Sequence, residues 1–271
     1  MQFSTQRRAQ VLVSCLLVIA LFCGLVSTSH AGLVAYDGFS YSNGNLPGQG
    51  GGTGWGGTWS QGSGTTPTVD GGVAKLAFTD GLVQSQASRN LNTTLGADGT
   101  TTWIRFNGSY LNNSNFISPP PLPFGGLSLM NGVNESLLIG KFGGGTNWSM
   151  GTSSGSASTT VPVYTGGDIW VRILHLAGND TVKMWVNPSN MTTESNLDGA
   201  TADLTGLDIS FNSIMLHGHH GGMNFSTHTW SFDNIRVGTS FDAMTAVPEP
   251  SALALVGLVV VGMGAVRRRI V

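Results

Sequence analysis

Short hydrophobic runs, alternating or continuous, recur through the middle of the chain and are separated by Gly, Asn, Asp and Pro. No stretch with the 3.6-residue period of an amphipathic helix interrupts these runs between the two ends. The pattern predicts an all-β fold in which antiparallel strands pack as two sheets. The strands are predicted at residues 73–78, 102–106, 127–130, 136–142, 214–216 and 230–237.

The clearest predicted hairpin pairs residues 169–177 with residues 181–186 through a Gly-Asn-Asp turn at 178–180. Successive side chains of a strand point to opposite faces, so Trp170 and Val171 project in opposite directions. Because both faces of this hairpin are partly apolar, we expect it either at the centre of a sandwich or with its concave face stacked on a ligand or on loops.

Composition and charge narrow the function classes. Glycine supplies 40 of 271 residues and charged residues only 10%, while 40% are hydrophobic, so the chain lacks the signature of disorder. Residues 32–246 contain seven basic and 13 acidic residues, a formal charge of −6. Without a Lys/Arg cluster, this region has no electrostatic footprint for phosphate, which excludes nucleic acid as a partner.

The N-terminus has the layout of a secretory signal peptide: arginines at 7–8, an apolar run at 11–26 and a small-residue site ending at Ala31. We predict a signal peptide over residues 1–31, with a retained membrane anchor as the alternative. Cys15 and Cys23 both lie inside it. The exported body would therefore form no disulfide, thiolate metal site or Cys nucleophile.

A second apolar segment, residues 251–266, lies near the C-terminus. It is preceded by Pro248, Glu249 and Pro250 and followed by Arg267, Arg268 and Arg269. As a single hydrophobic helix it would measure about 24 Å, and the arginines would place its end in the cytoplasm. This order resembles a PEP-CTERM sorting signal, here over residues 247–271. The resemblance implies export, transient anchoring in the inner membrane and processing by an exosortase-type enzyme in bacteria that make extracellular polysaccharide; an ordinary anchor is the alternative.

Three short segments carry a second resemblance: Tyr-Asp-Gly-Phe at 36–39 with the Gly-rich run after it, residues 180–188 and residues 232–238. In this order they resemble concanavalin A-like, laminin-G-like domains. The resemblance covers roughly residues 34–242 and implies an antiparallel two-sheet jelly-roll sandwich whose first and last strands pair. We assign the sandwich to residues 32–246.

Glycoside hydrolysis needs two carboxylates facing one bond. The Glu-x-Asp-x-x-Glu motif of retaining glucanases of this fold is absent, and Glu135 and Glu194, the two Glu before the tail, lie beside predicted turns. Asp198, Asp203 and Asp208 recur every five residues, which does not keep them on one strand face. These observations predict that the chain is not an enzyme and has no cofactor.

Three tryptophans are candidates for stacking on sugar rings. Trp55 and Trp59 lie in a Gly-rich loop, where each is either an inward anchor or a ligand platform. Trp148 follows three consecutive glycines and is the next candidate for exposure.

Two pairs of residues are candidates for metal binding. His217 and His219 would face the same way in an extended segment and could bind Zn²⁺ or Cu²⁺, with a solvated loop as the alternative. Asp37 and Asp233 lie in segments that the fold would bring together and could contribute to a Ca²⁺ site, with turn capping as the alternative.

The sequence thus predicts an exported, non-enzymatic surface or matrix protein that associates with or binds exopolysaccharide. A diverged glycan-active hydrolase and a purely structural spacer are the alternatives.

Overall fold

Sixteen β-strands and one turn of α-helix, α1 (Asp242–Thr245), make up most of the part of the chain described by the computed structural model: residues 32–78, 84–112, 124–219 and 228–245. Short 3₁₀ turns lie at Val163–Thr165 and Glu194–Asn196. The strands are β1 (Leu33–Asp37), β2 (Gly44–Asn45), β3 (Ser60–Gly64), β4 (Thr68–Asp70), β5 (Val73–Phe78), β6 (Gln84–Leu95), β7 (Thr101–Asn112), β8 (Phe124–Asn131), β9 (Asn134–Lys141), β10 (Asn147–Thr152), β11 (Gly155–Pro162), β12 (Gly167–Leu174), β13 (Asp180–Val186), β14 (Ala200–Leu207), β15 (Phe211–His219) and β16 (His228–Gly238).

The strands form two antiparallel sheets. The nine-stranded sheet has the order β14-β13-β12-β7-β16-β5-β4-β2, with β1 paired to β16. The seven-stranded sheet has the order β11-β10-β9-β8-β15-β6-β3. This is the predicted all-β jelly-roll sandwich, and the pairing of its first and last strands is confirmed.

The main core lies between the sheets and follows from strand alternation. Along β6 the side chains of Ala87, Arg89 and Leu91 are buried, whereas Ser88 and Asn90 between them are polar and more exposed. The largest contacts across the core are aromatic: Trp148 packs against Phe106 and Trp230 with ring centroids 6.1 and 5.9 Å apart. Burial of such large side chains is the dominant favourable term in folding.

The predicted hairpin is confirmed as β12–β13, with Ile169 opposite Val186 and Leu174 opposite Thr181. The two faces of this hairpin pack in two different apolar clusters. Val171 joins the main core, whereas Trp170 lies in a second apolar cluster on the other face of the nine-stranded sheet. This explains why both faces of the hairpin are apolar in sequence.

The second cluster, called here the outer aromatic cluster, consists of Trp103, Trp170, Trp185, Ala243 and Met244. Phe241, just before α1, is packed on it. Residues 241–244 therefore cover part of the outer face of the nine-stranded sheet.

Several strands were not predicted from the sequence, notably β6 and β14. Both are rich in Ser, Thr, Asn, Gln, Ala or Asp, which carry little strand signal of their own. Each is fixed by its neighbours, β6 between β15 and β3 and β14 at the edge beside β13. The predicted signal peptide and C-terminal hydrophobic helix lie outside the described residues, and the described ranges contain no helix long and apolar enough to cross a membrane.

Candidate functional site

The two outward faces of the sandwich differ in chemistry. The outer aromatic cluster covers part of the nine-stranded sheet. The outward face of the seven-stranded sheet is mainly polar: Ser213 lies opposite Asn90, Met215 opposite Ser88, and His217 opposite Gln86. Side chains that can form hydrogen bonds are thus concentrated on this face, which is the candidate site.

An open groove of about 520 Å³ lies at one end of this face. It is lined by residues 90–94 of β6, Gly132 of the β8–β9 turn, and Asn212 and Ser213 of β15. We call it the amide groove. A hydrogen bond joins two of its walls, since Gly132 N–H donates to Asn212 Oδ1 at 3.2 Å.

Two side chains of the amide groove are free to bind a ligand. Asn90 and Asn92 are exposed, and neither amide makes a hydrogen bond within the described part of the chain. Each amide offers two donors and one acceptor oxygen, which can match the hydroxyl groups of a sugar. Sequence reasoning missed these residues because Asn and Thr are frequent throughout the chain and because β6 has little strand signal of its own.

A hydrogen-bonded group of three side chains lies beside the groove on the same face. Ser128 Oγ donates to Glu135 Oε2 at 2.6 Å and is 2.8 Å from His217 Nε2. His217 Nε2 lies 3.7 Å from Glu135 Oε2. Ser128 and His217 are buried, whereas a third of the Glu135 side chain is exposed. The carboxylate is therefore anchored from below and faces solvent.

Burial also sets the charge of His217. Desolvation, with a smaller contribution from neighbouring His219, lowers the pKa of His217 to about 4. The imidazole is therefore neutral near pH 7, and Glu135 provides the negative charge of this group.

Asp37, a calcium candidate from sequence, forms a buried ion pair instead. Asp37 Oδ2 accepts from Arg89 Nη1 at 2.6 Å, from Trp59 Nε1 at 2.8 Å and from Tyr41 Oη at 2.6 Å. The Arg89 guanidinium neutralises the carboxylate and occupies the oxygen that a cation would need. A Ca²⁺ ion at Asp37 would have to displace this pair, and Asp37 Oδ1 accepts from the Phe39 backbone N–H at 2.9 Å, as the turn-capping alternative predicts.

Asp233 lies near Asp37 as predicted, at an irregularity in β16 where its carboxylate caps the next residue. Asp233 Oδ1 accepts from the backbone N–H of Asn234 at 2.7 Å. Burial, and to a smaller degree the charge of Asp37, raise the pKa of Asp233. The turn-capping alternative describes this residue.

Two of the three tryptophan candidates are buried anchors. Trp59 is 1% exposed and donates to Asp37, and Trp148 is fully buried in the main core. Trp55 is partly buried, donates to Tyr36 O at 2.9 Å and has the Arg89 guanidinium 5.0 Å from its ring centroid. The prediction that Trp59 and Trp148 are ligand platforms is therefore wrong, because neither ring presents a face to solvent.

His217 and His219 project to the same face of β15, and the Phe124 ring packs against both. Within the described residues no group of three or more His, Cys, Asp or Glu side chains is placed to hold a metal ion. Ser128 already contacts His217 Nε2, one of the two nitrogens that a metal would use.

Comparison with solved structures gives distant similarities. An endo-1,3-β-glucanase from Streptomyces sioyaensis is 11% identical over 76% of this chain and 95% of its own, with a TM-score of 0.48. An alginate lyase of polysaccharide lyase family 7 is 10% identical over 63% and 81%, with a TM-score of 0.43. A sialidase is 10% identical over 67% of this chain, with a TM-score of 0.45, and this chain spans 17% of the sialidase's length.

The sequence analysis predicted that the chain is not an enzyme because a catalytic motif is missing. This prediction is wrong. Alginate lyases and a glucanase are among the chains with distant structural similarity. The absence of one catalytic motif does not by itself exclude catalysis. At about 10% identity the similarity does not show that this chain is an enzyme either.

The sequence comparisons bear on the C-terminal tail. The sequence matches no curated protein. The family profile described as the PEP-CTERM protein-sorting motif matches residues 246–269, which begin directly after α1. The motif indicates export with membrane-anchored sorting and implies processing by an exosortase. The chain is thus a jelly-roll β-sandwich with a PEP-CTERM sorting motif at its C-terminal end.

Proposed function

We propose that the sandwich binds an extracellular polysaccharide in the amide groove after the sorting motif has directed its export, and that it resides at the cell surface or in the extracellular matrix. The single observation that carries this proposal is the groove of about 520 Å³, with the free amides of Asn90 and Asn92 on its wall. Its lining is uncharged and rich in amide and hydroxyl groups, which matches the chemistry of a glycan.

Export and binding support each other in this proposal. A PEP-CTERM motif resembles sorting signals of bacteria that make extracellular polysaccharide, so the exported domain would meet such polymers. The acidic body, with a formal charge of −6 over residues 32–246, favours an uncharged polymer over a polyanion.

Affinity electrophoresis through gels containing single polysaccharides tests the proposal, using the protein recovered from its host. We expect saturable retardation by at least one polysaccharide, weakened about 5-fold by Asn92→Ala, since one hydrogen bond contributes about 1 kcal/mol. Asn179→Ala is the matched control, because Asn179 is also exposed but lies in the β12–β13 turn. Unretarded migration across a broad panel would overturn the proposal and favour a structural spacer.

A further inference from the structure

Glu135 lies in the same row of the sheet as the amide groove. Asn90 of β6 pairs with Ser213 of β15, Ser213 pairs with Met130 of β8, and Met130 pairs with Glu135 of β9. Neighbouring strands are about 4.8 Å apart, so Glu135 is roughly 10 Å from the groove wall at Ser213. A polymer leaving the groove across the strands would pass over this carboxylate.

Glu135 is also the only carboxylate on the strands of the seven-stranded sheet. The same strands contain two cations, and neither offsets Glu135. Arg89 is buried and paired with Asp37. Lys141 is buried six residues farther along β9, roughly 20 Å away. The row next to the groove therefore has an uncompensated negative charge.

The position of this charge is fixed. Ser128, which is fully buried, donates to Glu135 Oε2 at 2.6 Å and orients the carboxylate. His217 is the titratable group nearest to the carboxylate and is neutral near pH 7. The Glu135 carboxylate is therefore held in place by Ser128, and a third of its side chain is exposed to solvent.

We propose that Glu135 makes the amide groove selective for uncharged polysaccharides by repelling polyuronates and other polyanionic glycans. This inference rests on the proposed function, because it concerns the ligand of the same groove. Specificity of this kind arises from a repulsive group directed against the wrong ligand. Two like charges about 5 Å apart in water weaken binding several-fold, and added salt reduces the effect.

The test compares full-length wild type and Glu135→Gln on two probes, an uncharged β-glucan and alginate, at about 20 mM and 500 mM NaCl. Glutamine keeps the size of the side chain and its acceptor oxygen, so Ser128 retains its partner. Asp203→Asn removes the same charge from β14, where the side chain is 66% exposed on the other sheet, and serves as the matched control.

We expect Glu135→Gln to tighten alginate binding about 5-fold at low salt and by less than 2-fold at high salt, with β-glucan binding changed less than 2-fold. Asp203→Asn should leave both affinities within 2-fold of wild type. Unchanged alginate affinity in Glu135→Gln, or equal gains in both variants, would overturn the inference while leaving the groove as a binding site. Failure of wild type and variants to bind any polysaccharide would instead remove the proposed function, and the inference with it.

Discussion

Asp37 and Arg89 join the two sheets through a buried ion pair of 2.6 Å, with side chains only 1% and 2% exposed. Asp37 ends β1 of the nine-stranded sheet, and Arg89 lies on β6 of the seven-stranded sheet. The guanidinium also donates from Nε to Gly57 O at 2.8 Å, which ties the Gly-rich loop to the same point. The pair thus links both sheets and the loop.

Removing one member of this pair should be costly. Arg89→Met leaves the Asp37 carboxylate buried without its counter-charge, and we expect a loss of about 3–5 kcal/mol in the free energy of unfolding. Lys75→Met is the control, because the Lys75–Asp70 pair is exposed and should contribute under about 1 kcal/mol. Urea unfolding measures both, and similar losses in the two variants would contradict the structural role.

The segment before the sorting motif should be held by the outer aromatic cluster. The Phe241 ring lies 5.4 Å from Trp103 and 5.5 Å from Trp170, and Arg105 Nη1 donates to Met244 O at 2.8 Å. Phe241→Ala should expose these tryptophans, so that their fluorescence shifts to longer wavelength and is quenched more strongly by acrylamide. The same substitution should lower the free energy of unfolding by about 1–3 kcal/mol. Phe142→Ala, also partly buried but after β9, should not change the quenching. Equal quenching in the two variants would argue against this packing.

Stability should depend on the protonation of His217. Its folded pKa of about 4 lies below the ordinary value of about 6.5, so the unfolded state binds the extra proton between these values. The stabilising contribution of the neutral imidazole to the free energy of unfolding is therefore complete above about pH 6.5. As the pH falls toward 4, the free energy of unfolding decreases by about 3 kcal/mol.

His217→Gln cannot titrate and can still contact Ser128. The difference in unfolding free energy between wild type and His217→Gln should therefore shrink steadily from pH 7 to pH 4. Glu135 and His219 face His217 and remain in both proteins, so their titration largely cancels in the difference. A difference that does not vary with pH would mean that the imidazole titrates normally.

The signals predicted at the two ends of the chain determine the expected mass of the mature protein. The sequence predicts a mature protein that begins at Gly32 and has been shortened near Pro248-Glu249-Pro250. Intact mass measured on protein recovered outside the inner membrane should match such a product. A product that keeps Arg267–Arg269 and stays in the inner membrane would identify the tail as a permanent anchor.

The sequence predicted those strands whose own residues are apolar at strand spacing. The runs at 73–78 and 230–237 are apolar at strand spacing and appear as β5 and most of β16. The hairpin β12–β13 followed from two apolar runs around Gly178, because a short turn fixes the pairing of its flanking strands. The sorting motif was also readable from sequence alone, since its order of proline, apolar segment and arginines is local.

Contacts between distant residues decided the rest. Three glycines before Trp148 suggested exposure, yet its ring lies between Phe106 and Trp230, which belong to the opposite sheet. Asp37 caps the turn after β1, since its Oδ1 accepts from the Phe39 backbone N–H at 2.9 Å, but its buried partner Arg89 lies 52 residues away and was not indicated by the local sequence.

The candidate site depended on tertiary structure most of all. The amide groove combines β6, β15 and the β8–β9 turn, and Glu135 meets His217 only because β8, between their two strands, pairs with both. Strand order is set by long-range packing of two apolar faces, which a local pattern does not encode. The sequence by itself therefore determined the class of fold and the sorting motif, whereas the structure decided which polar residues share a surface.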